Sequence, residues 1–320
     1  MTDAATAGVD TSGMDARSWH GVPTPDTARA ANPDRKPVLV LGASGNVGSA
    51  LTRRLATTGR EVRAFYDPST PQTVTFPAEV TAIPGTFDDT AALDAAMNGV
   101  DAVFMLTPPS EEQVRWQRAI ATSARQHRVR RIVKLSAFDT GRDSILQMGR
   151  WHHDGEVAVA ESGCQYVVLR PQYFMQMLLG ALTTAAQTGI FTGPATASTR
   201  MGIVDVNDIA AVAAVALTAA GRHAQVLVPT GPAALSFQDM AAELAVLVGR
   251  EIAYVQRPVD DVRRDFAGRG WPEWHITDYL AIHDQAASPL VTDCVQEVTG
   301  TAPTSFAAFL RRSEHLLLPA

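Results

Sequence analysis

The stretch that leaves this chain least freedom is 37-PVLVLGASGNVGSALTRRLATTG-59. Val38 to Leu41 form a short, uninterrupted apolar run, the mark of a strand covered on both faces of a parallel sheet. The run ends in a glycine-rich turn, and Val47, Leu51 and Leu55 then recur at helical spacing. Within 42-GASGNVG-48, Gly42 permits the tight turn, Gly45 lets the backbone approach a pyrophosphate, and Gly48 lets the helix lie close on the sheet. The free amides that open the helix, at Ser44, Asn46 and Val47, would face the phosphates. A ligand-free turn is the competing reading, but a strand before and a helix after the motif favour a dinucleotide.

The alternation then continues. Strands are expected at 61–66, 80–84, 101–109, 130–138 and 166–171, and helices at 90–98, 111–127 and 143–162, the last closed by Gly163. This order predicts an α/β chain of Rossmann type, a doubly wound parallel sheet, with a smaller, mainly C-terminal α/β substrate domain. Beyond Pro171 a helix is expected at 174–188. A second follows within 203–217, with Asp208 as its N-cap, then a strand at 225–228. A helix in 235–249 has Ser236 and Asp239 at its start. The expected organisation is a flexible tail over 1–35 and a dinucleotide-binding domain over 36–174, joined by a helix and a strand from 201–230. Residues 175–200 and 231–320 would form the substrate domain.

Composition narrows the function classes. Apolar residues make up 46% of the 320 and charged residues 19%, enough material for a large core. The net charge of −6, with no basic patch among aromatics, argues against nucleic acid and anionic membranes as partners. Two distant cysteines, Cys164 and Cys294, fit a reducing compartment. No basic segment followed by an apolar run opens the chain, and the longest apolar stretch, 209–220, is about two-thirds of a membrane span. A cytoplasmic protein with a small-molecule substrate is expected.

Several stretches, in consistent order from 38 to 310, resemble the NmrA-like branch of the atypical short-chain dehydrogenase/reductases. They are 42-GASGNVG-48, 107-TPP-109, 134-KLSA-137, 162-SGCQYVVLRPQYFMQ-176, 203-IVDVNDIAAVA-213 and the segment beginning 230-TGPAALS-236. The resemblance implies a Rossmann domain with NAD(P)(H). Leu106, Thr107, Pro108 and Pro109 would wall the cofactor, and Ser136 and Pro171 would stand near the nicotinamide. Tyr66 and Asp67 occupy the place where NADP-preferring relatives carry an arginine. Asp67 would suit a ribose diol, and Arg63 is the alternative phosphate contact. Family habit sets the expectation of NADP(H) over NAD(H).

The short-chain dyad Tyr-x-x-x-Lys is absent. None of the five tyrosines has a lysine four residues on, and the only lysines are Lys36 and Lys134. The resemblance instead directs attention to 150-RWHHDGE-156. There His152 stands where relatives keep Lys or His, with Glu156 one helical turn on and able to orient its second nitrogen. His152 is the candidate proton donor, and Ser136 the second candidate catalytic residue. His153 and Asp154 read as surface, and no metal site is expected, because His153 points about a hundred degrees from His152. Lys134 reads equally as functional or as a strand-end ion pair. Tyr173, Phe174 and Met177 are expected to face the substrate, Met177 standing where the family often has Asn. Asp205 and Asp208 read as a buried turn plus a cap. Trp271, Trp274 and His275 could line a pocket, but core of the C-terminal domain is the preferred reading.

The functional expectation is an NAD(P)H-dependent oxidoreductase that reduces a carbonyl, enone or quinone-like molecule. Two rivals share the fold. One is a dinucleotide-binding redox sensor that acts through a protein partner without catalysis. The other is a biosynthetic isomerase or cyclase with the nucleotide as spectator.

Overall fold

The computed structural model describes residues 36–70, 75–219 and 225–318, so the expected N-terminal tail lies outside the described residues. In chain order come β1 (Val38–Leu41), α1 (Asn46–Ala56), β2 (Val62–Tyr66), β3 (Val80–Pro84) and α2 (Thr90–Met97). They are followed by β4 (Ala102–Met105), α3 (Gln113–Gln126), β5 (Arg131–Leu135), α4 (Gln147–Glu161) and β6 (Gln165–Leu169). After β6 the alternation loosens into β7 (Tyr173–Phe174), a 3-10 turn leading to α5 (Leu179–Thr188), β8 (Ile190–Gly193), β9 (Arg200–Val204), α6 (Val206–Thr218) and β10 (Gln225–Leu227). The chain ends in β11 (Ala234–Ser236), α7 (Phe237–Val248), β12 (Ala253–Gln256), α8 (Val259–Gly268), α9 (Glu273–Ile282), α10 (Cys294–Thr299), α11 (Phe306–Arg312) and α12 (Glu314–Leu317).

The central sheet has seven strands in the order β10-β6-β5-β4-β1-β2-β3, every pair parallel. Strand order reverses between β1 and β4, and a crevice at such a switch point is where open α/β sheets bind ligands. Alternate residues of β1 feed two cores. Val38 and Val40 pack with Val47, Leu51 and Leu55 of α1 and with the alanine-rich α6. Leu39 and Leu41 pack with Leu93, Met97 and Ile120 on the opposite face. Both faces are therefore covered, as a doubly wound sheet requires. Truncating one fully buried leucine such as Leu51 would cost about 2–5 kcal/mol.

The expected helix and strand from 201–230 join this sheet in part. The helix α6 shares the core with α1, and β10 pairs with β6. Residues 200–204 do not, because β9 pairs with β7 and β11 in a small separate sheet. That sheet, the β8–β12 pair and α5, α7 and α11 enclose a third core around Phe191, Phe237, Met240 and Phe309.

Three local expectations change. The helix expected from 143 starts at Gln147, because the carboxylate of Asp278 in α9 accepts from the amides of Gln147 (2.8 Å) and Met148 (2.7 Å). A cap supplied from 130 residues away leaves no local trace. The helix expected from 174 is preceded by β7, which pairs with Ile203 and Val204. The cap of α6 is Asp205, whose side chain accepts from the amide of Asn207 (2.7 Å). Asp208 instead accepts from the amide and hydroxyl of Thr304, and burial raises its pKa. The α7 start is as expected, Ser236 and Asp239 forming a reciprocal capping box. No helix among the described residues is long and apolar enough to cross a membrane.

Candidate active site

The β1–α1 turn is built around close contacts that only glycine permits. Gly42 has φ +67°, and a Cβ there would stand 2.7 Å from the carbonyl oxygen of Leu106. A Cβ on Gly48 would lie 2.1 Å from the carbonyl oxygen of Gly42. Gly45, in extended backbone, precedes α1 with no side-chain cap, and the first turn holds no acidic residue. The amides beside Asn46 and Val47 are thus left for an anion, which fits a dinucleotide pyrophosphate. Val47 itself is core, whereas Ser44 is half-buried and Asn46 exposed.

At the end of β2, the Asp67 carboxylate accepts at Oδ1 from the amide (2.8 Å) and hydroxyl (2.7 Å) of Ser69. These bonds hold its pKa below the usual carboxylate range. The side chain therefore stays ionised at neutral pH, and among the described residues its second oxygen accepts no hydrogen bond. Arg63 donates to the carbonyls of Ala96 (3.1 Å) and Asn98 (2.6 Å), so its guanidinium caps α2. Tyr66 packs against Phe76, ring centroids 5.4 Å apart.

Beyond the glycine turn opens a cavity of about 260 Å³. Leu106, Thr107, Pro109, Ser136, His152 and Pro171 line it, as do Tyr173, Phe174 and Met177. Pro108 points elsewhere, exposed and outside the lining. The opposite wall comes from the C-terminal segment: Trp271, His275, Asp278, Tyr279 and Ile282. Of the two readings of Trp271 and His275, pocket lining is therefore the one the cavity favours. His275 is stacked between Trp271 (centroids 4.4 Å) and Trp274 (4.9 Å), and that stack forms the wall. Phe138, Leu146 and Met148, from the β5–α4 connection, also border the cavity. The lining includes no lysine or arginine.

The histidine stretch lies on α4 and is more buried than expected. His152, His153 and Glu156 are all below one-tenth exposed, so His153 is not a surface residue; Asp154 is. α4 is covered here by α9, β5 and β6 as well as by α3, which packs along it. Gly155 makes that approach possible, since a Cβ there would fall 1.6 Å from Gln117 Oε1. Gln113 and Gln117, one turn apart on α3, face His152 and Thr107.

The expected His152–Glu156 pairing does not form. Glu156 accepts from the Ser136 hydroxyl (2.5 Å) and receives two bonds from the Arg170 guanidinium (3.0 and 2.5 Å). The Ser136 proton is therefore committed to Glu156, which leaves its oxygen as an acceptor toward the cavity. His152 instead meets Lys134, with Nζ 3.0 Å from Nδ1 and Gln113 Nε2 3.2 Å from the same atom. Burial, then the charges of Lys134 and Arg170, push the His152 pKa well below 6.5. Burial also lowers Lys134 to about 8, with Glu156 opposing and Arg170 adding to the effect. Among the described residues Lys134 makes no ion pair, so the strand-end salt bridge is replaced by a buried lysine–histidine contact.

Gln113, Arg170 and Asp278 were not singled out by the sequence. Arg170 carried a signal, its place in the LRP motif; the other two become visible only through tertiary contacts. Among the described residues no group of three His, Cys, Asp or Glu converges as a metal site.

Comparison with known proteins agrees with this geometry. The profile of the NAD(P)H-binding family matches residues 42–220. An NAD(P)H azoreductase of Xenophilus azovorans is 32% identical over 280 residues, 86% of this chain and 96% of that protein. A (4-alkanoyl-5-oxo-2,5-dihydrofuran-3-yl)methyl phosphate reductase of Streptomyces griseus is 30% identical over 275 residues, 84% of this chain and 95% of that one. The fold also matches that of an NADPH-dependent quinone oxidoreductase of Escherichia coli complexed with NADPH. That match has a TM-score of 0.73 at 23% identity, and covers 88% of this chain and all of the other.

Proposed function

This chain belongs to the NAD(P)H-binding family as an atypical short-chain dehydrogenase/reductase, and on that premise we propose that its cavity reduces a small, uncharged, conjugated carbonyl, enone or quinone-like acceptor. The chain is an NAD(P)H-dependent reductase acting on a small molecule. The observation that carries the finer reading is the cavity between the ends of β4 and β5 and the aromatic wall of α9, with His152 and Ser136 on its cofactor side.

The residues at the β1–α1 turn fit the dinucleotide, with the first-turn amides of α1 on its pyrophosphate and Asp67 at its adenosine ribose. When bound, the reduced nicotinamide supplies a hydride to the acceptor. Ser136, with its proton held by Glu156, offers an acceptor oxygen suited to a carboxamide N–H. His152 is neutral at physiological pH. The Lys134 ammonium can only donate to Nδ1, which puts the ring proton on Nε2, from which it can be given to a developing oxyanion; the Gln113 amide lies near both ring nitrogens (3.2 Å from Nδ1, 3.4 Å from Nε2). Trp271, Tyr279, Tyr173 and Phe174 favour a flat apolar acceptor. A phosphorylated substrate, of the kind named for the Streptomyces relative, would meet no cation in the lining. The division into a dinucleotide-binding unit and a smaller C-terminal unit belongs to this proposal, the acceptor lying between them.

For the 2′ position, the expectation of NADP(H) rested on family habit. An ionised Asp67 at the end of β2, with Arg63 engaged on α2, supports the ribose diol of NAD(H). We therefore place NAD(H) ahead of NADP(H) in this protein.

Steady-state oxidation of NADH and NADPH against a panel of quinones, enones, ketones and azo compounds tests the reading. Turnover is expected with neutral planar acceptors. Tight cofactor binding without turnover across the panel would replace this reading with the redox-sensor rival.

A further inference from the structure

A neutral imidazole that gives up its Nε2 proton needs another at Nδ1, or it is left as an imidazolate. Among the described residues the one acid at Nδ1 is Lys134, the other neighbour being the neutral amide of Gln113. Its Nζ stands 3.0 Å from His152 Nδ1, and among the described residues its sole other polar contact is the carbonyl of Leu135 at 3.5 Å. The side chain is fully buried and makes no ion pair among the described residues. A lysine kept for structural charge balance would sit against a carboxylate. The nearby carboxylate, Glu156, has both oxygens taken by Ser136 and Arg170.

Resting on the reductase reading above, we propose that Lys134 is the positioning residue of the reaction's proton. It fixes His152 as the Nε2–H tautomer and refills Nδ1 as the Nε2 proton leaves. The step balances as follows. The acceptor carbon takes a hydride, and so two electrons, from the dihydronicotinamide, which becomes the oxidised nicotinamide. The acceptor oxygen takes the Nε2 proton of His152. Lys134 passes one proton from Nζ to Nδ1 and becomes a neutral amine, and solvent restores that proton through His152 after product leaves. The imidazole ends the cycle neutral, as it began.

The groups facing Lys134 agree with this role. From α4 come His152 and Glu156, and from the segment after β6 comes Arg170. The α3 side presents Gln113 and Gln117, which carry no charge. Its sheet neighbours are Met105 of β4 and Val168 of β6. Burial and Arg170 weaken the hold of Lys134 on its proton, Glu156 strengthens it, and the balance lies at about 8.

The chain has two lysines, Lys36 and Lys134, which makes the test direct. The full-length protein is labelled with 15N-lysine and 15N-histidine, and spectra are compared with those of Lys134→Met and His152→Gln. The signal missing from Lys134→Met is expected to titrate near pH 8, and the His152 ring to show the Nε2–H tautomer below that pH. With NADH and a neutral quinone, kcat is expected to fall as pH rises through about 8. In Lys134→Met kcat drops roughly 100-fold, KM changes little and that limb disappears. A Lys134 signal titrating like an ordinary lysine would overturn the relay, as would wild-type kcat with an unchanged limb in Lys134→Met. A wild-type protein inert toward every acceptor, with Lys134 and His152 titrating as described, would overturn the reductase reading instead.

Discussion

Replacing Lys134 by methionine should make the protein more stable while slowing it. The fall of the lysine pKa from 10.5 to about 8 means that the folded state holds the ammonium at a penalty of about 3 kcal/mol. The sign follows from proton counting. Between pH 8 and 10.5 the unfolded chain binds the lysine proton and the folded chain does not, so stability rises with pH across that window. Below pH 8 both states are protonated and the whole penalty is present. Methionine fills a similar volume without charge and forfeits the donor to His152, worth about 1 kcal/mol. The variant should therefore be about 2 kcal/mol more stable at pH 7, and the advantage should vanish by about pH 10.5. Urea unfolding of both proteins, followed by circular dichroism at pH 7 and pH 10, gives the difference with other titrations common to both cancelled. A variant less stable than wild type at pH 7, or a difference that ignores pH, would refute the argument.

Other substitutions separate the parts of the site. His152→Ala should lower kcat about 100-fold and, by removing a buried side chain that accepts from Lys134 and Gln113, also cost about 1–3 kcal/mol, read by steady-state kinetics and thermal unfolding. His153→Ala should also cost about 1–2 kcal/mol by removing a buried side chain, but kcat should hold. Gly48→Ala would drive a methyl into the Gly42 carbonyl, so α1 must lift off the sheet and calorimetry should show NADH binding weakened by more than tenfold. Asp278→Ala removes the shared acceptor of two α4 amides, at about 1–2 kcal/mol, and should raise the acceptor KM because α9 walls the cavity.

Much of this was legible in the sequence because it is written locally. The apolar run at Val38–Leu41, the glycine spacing and the i, i+4 leucines of α1 depend on neighbours in the chain, and the parallel sheet follows from their repetition. The capping box at Ser236 and Asp239 is local too. What stayed hidden depends on distant partners. His152 and Glu156 share a helical face at one-turn spacing, yet β5 inserts Lys134 against the one, and Ser136 just beyond its end meets the other. His153 looked exposed because a two-histidine polar stretch suggests solvent, but α4 is packed against α3, α9 and the sheet and the side chain is buried. Core is preferred over pocket lining for Trp271 and His275 in the sequence because aromatic residues usually are core, whereas their stack ends at a cavity.

The central claim is that 42-GASGNVG-48, with Asp67 beside it, forms a working nicotinamide-dinucleotide site that serves the cavity at His152. Isothermal titration of the full chain with NADH and then NADPH tests it most directly. The account predicts saturable binding at one site per chain, tighter for NADH than for NADPH. A flat response to both nucleotides would contradict it.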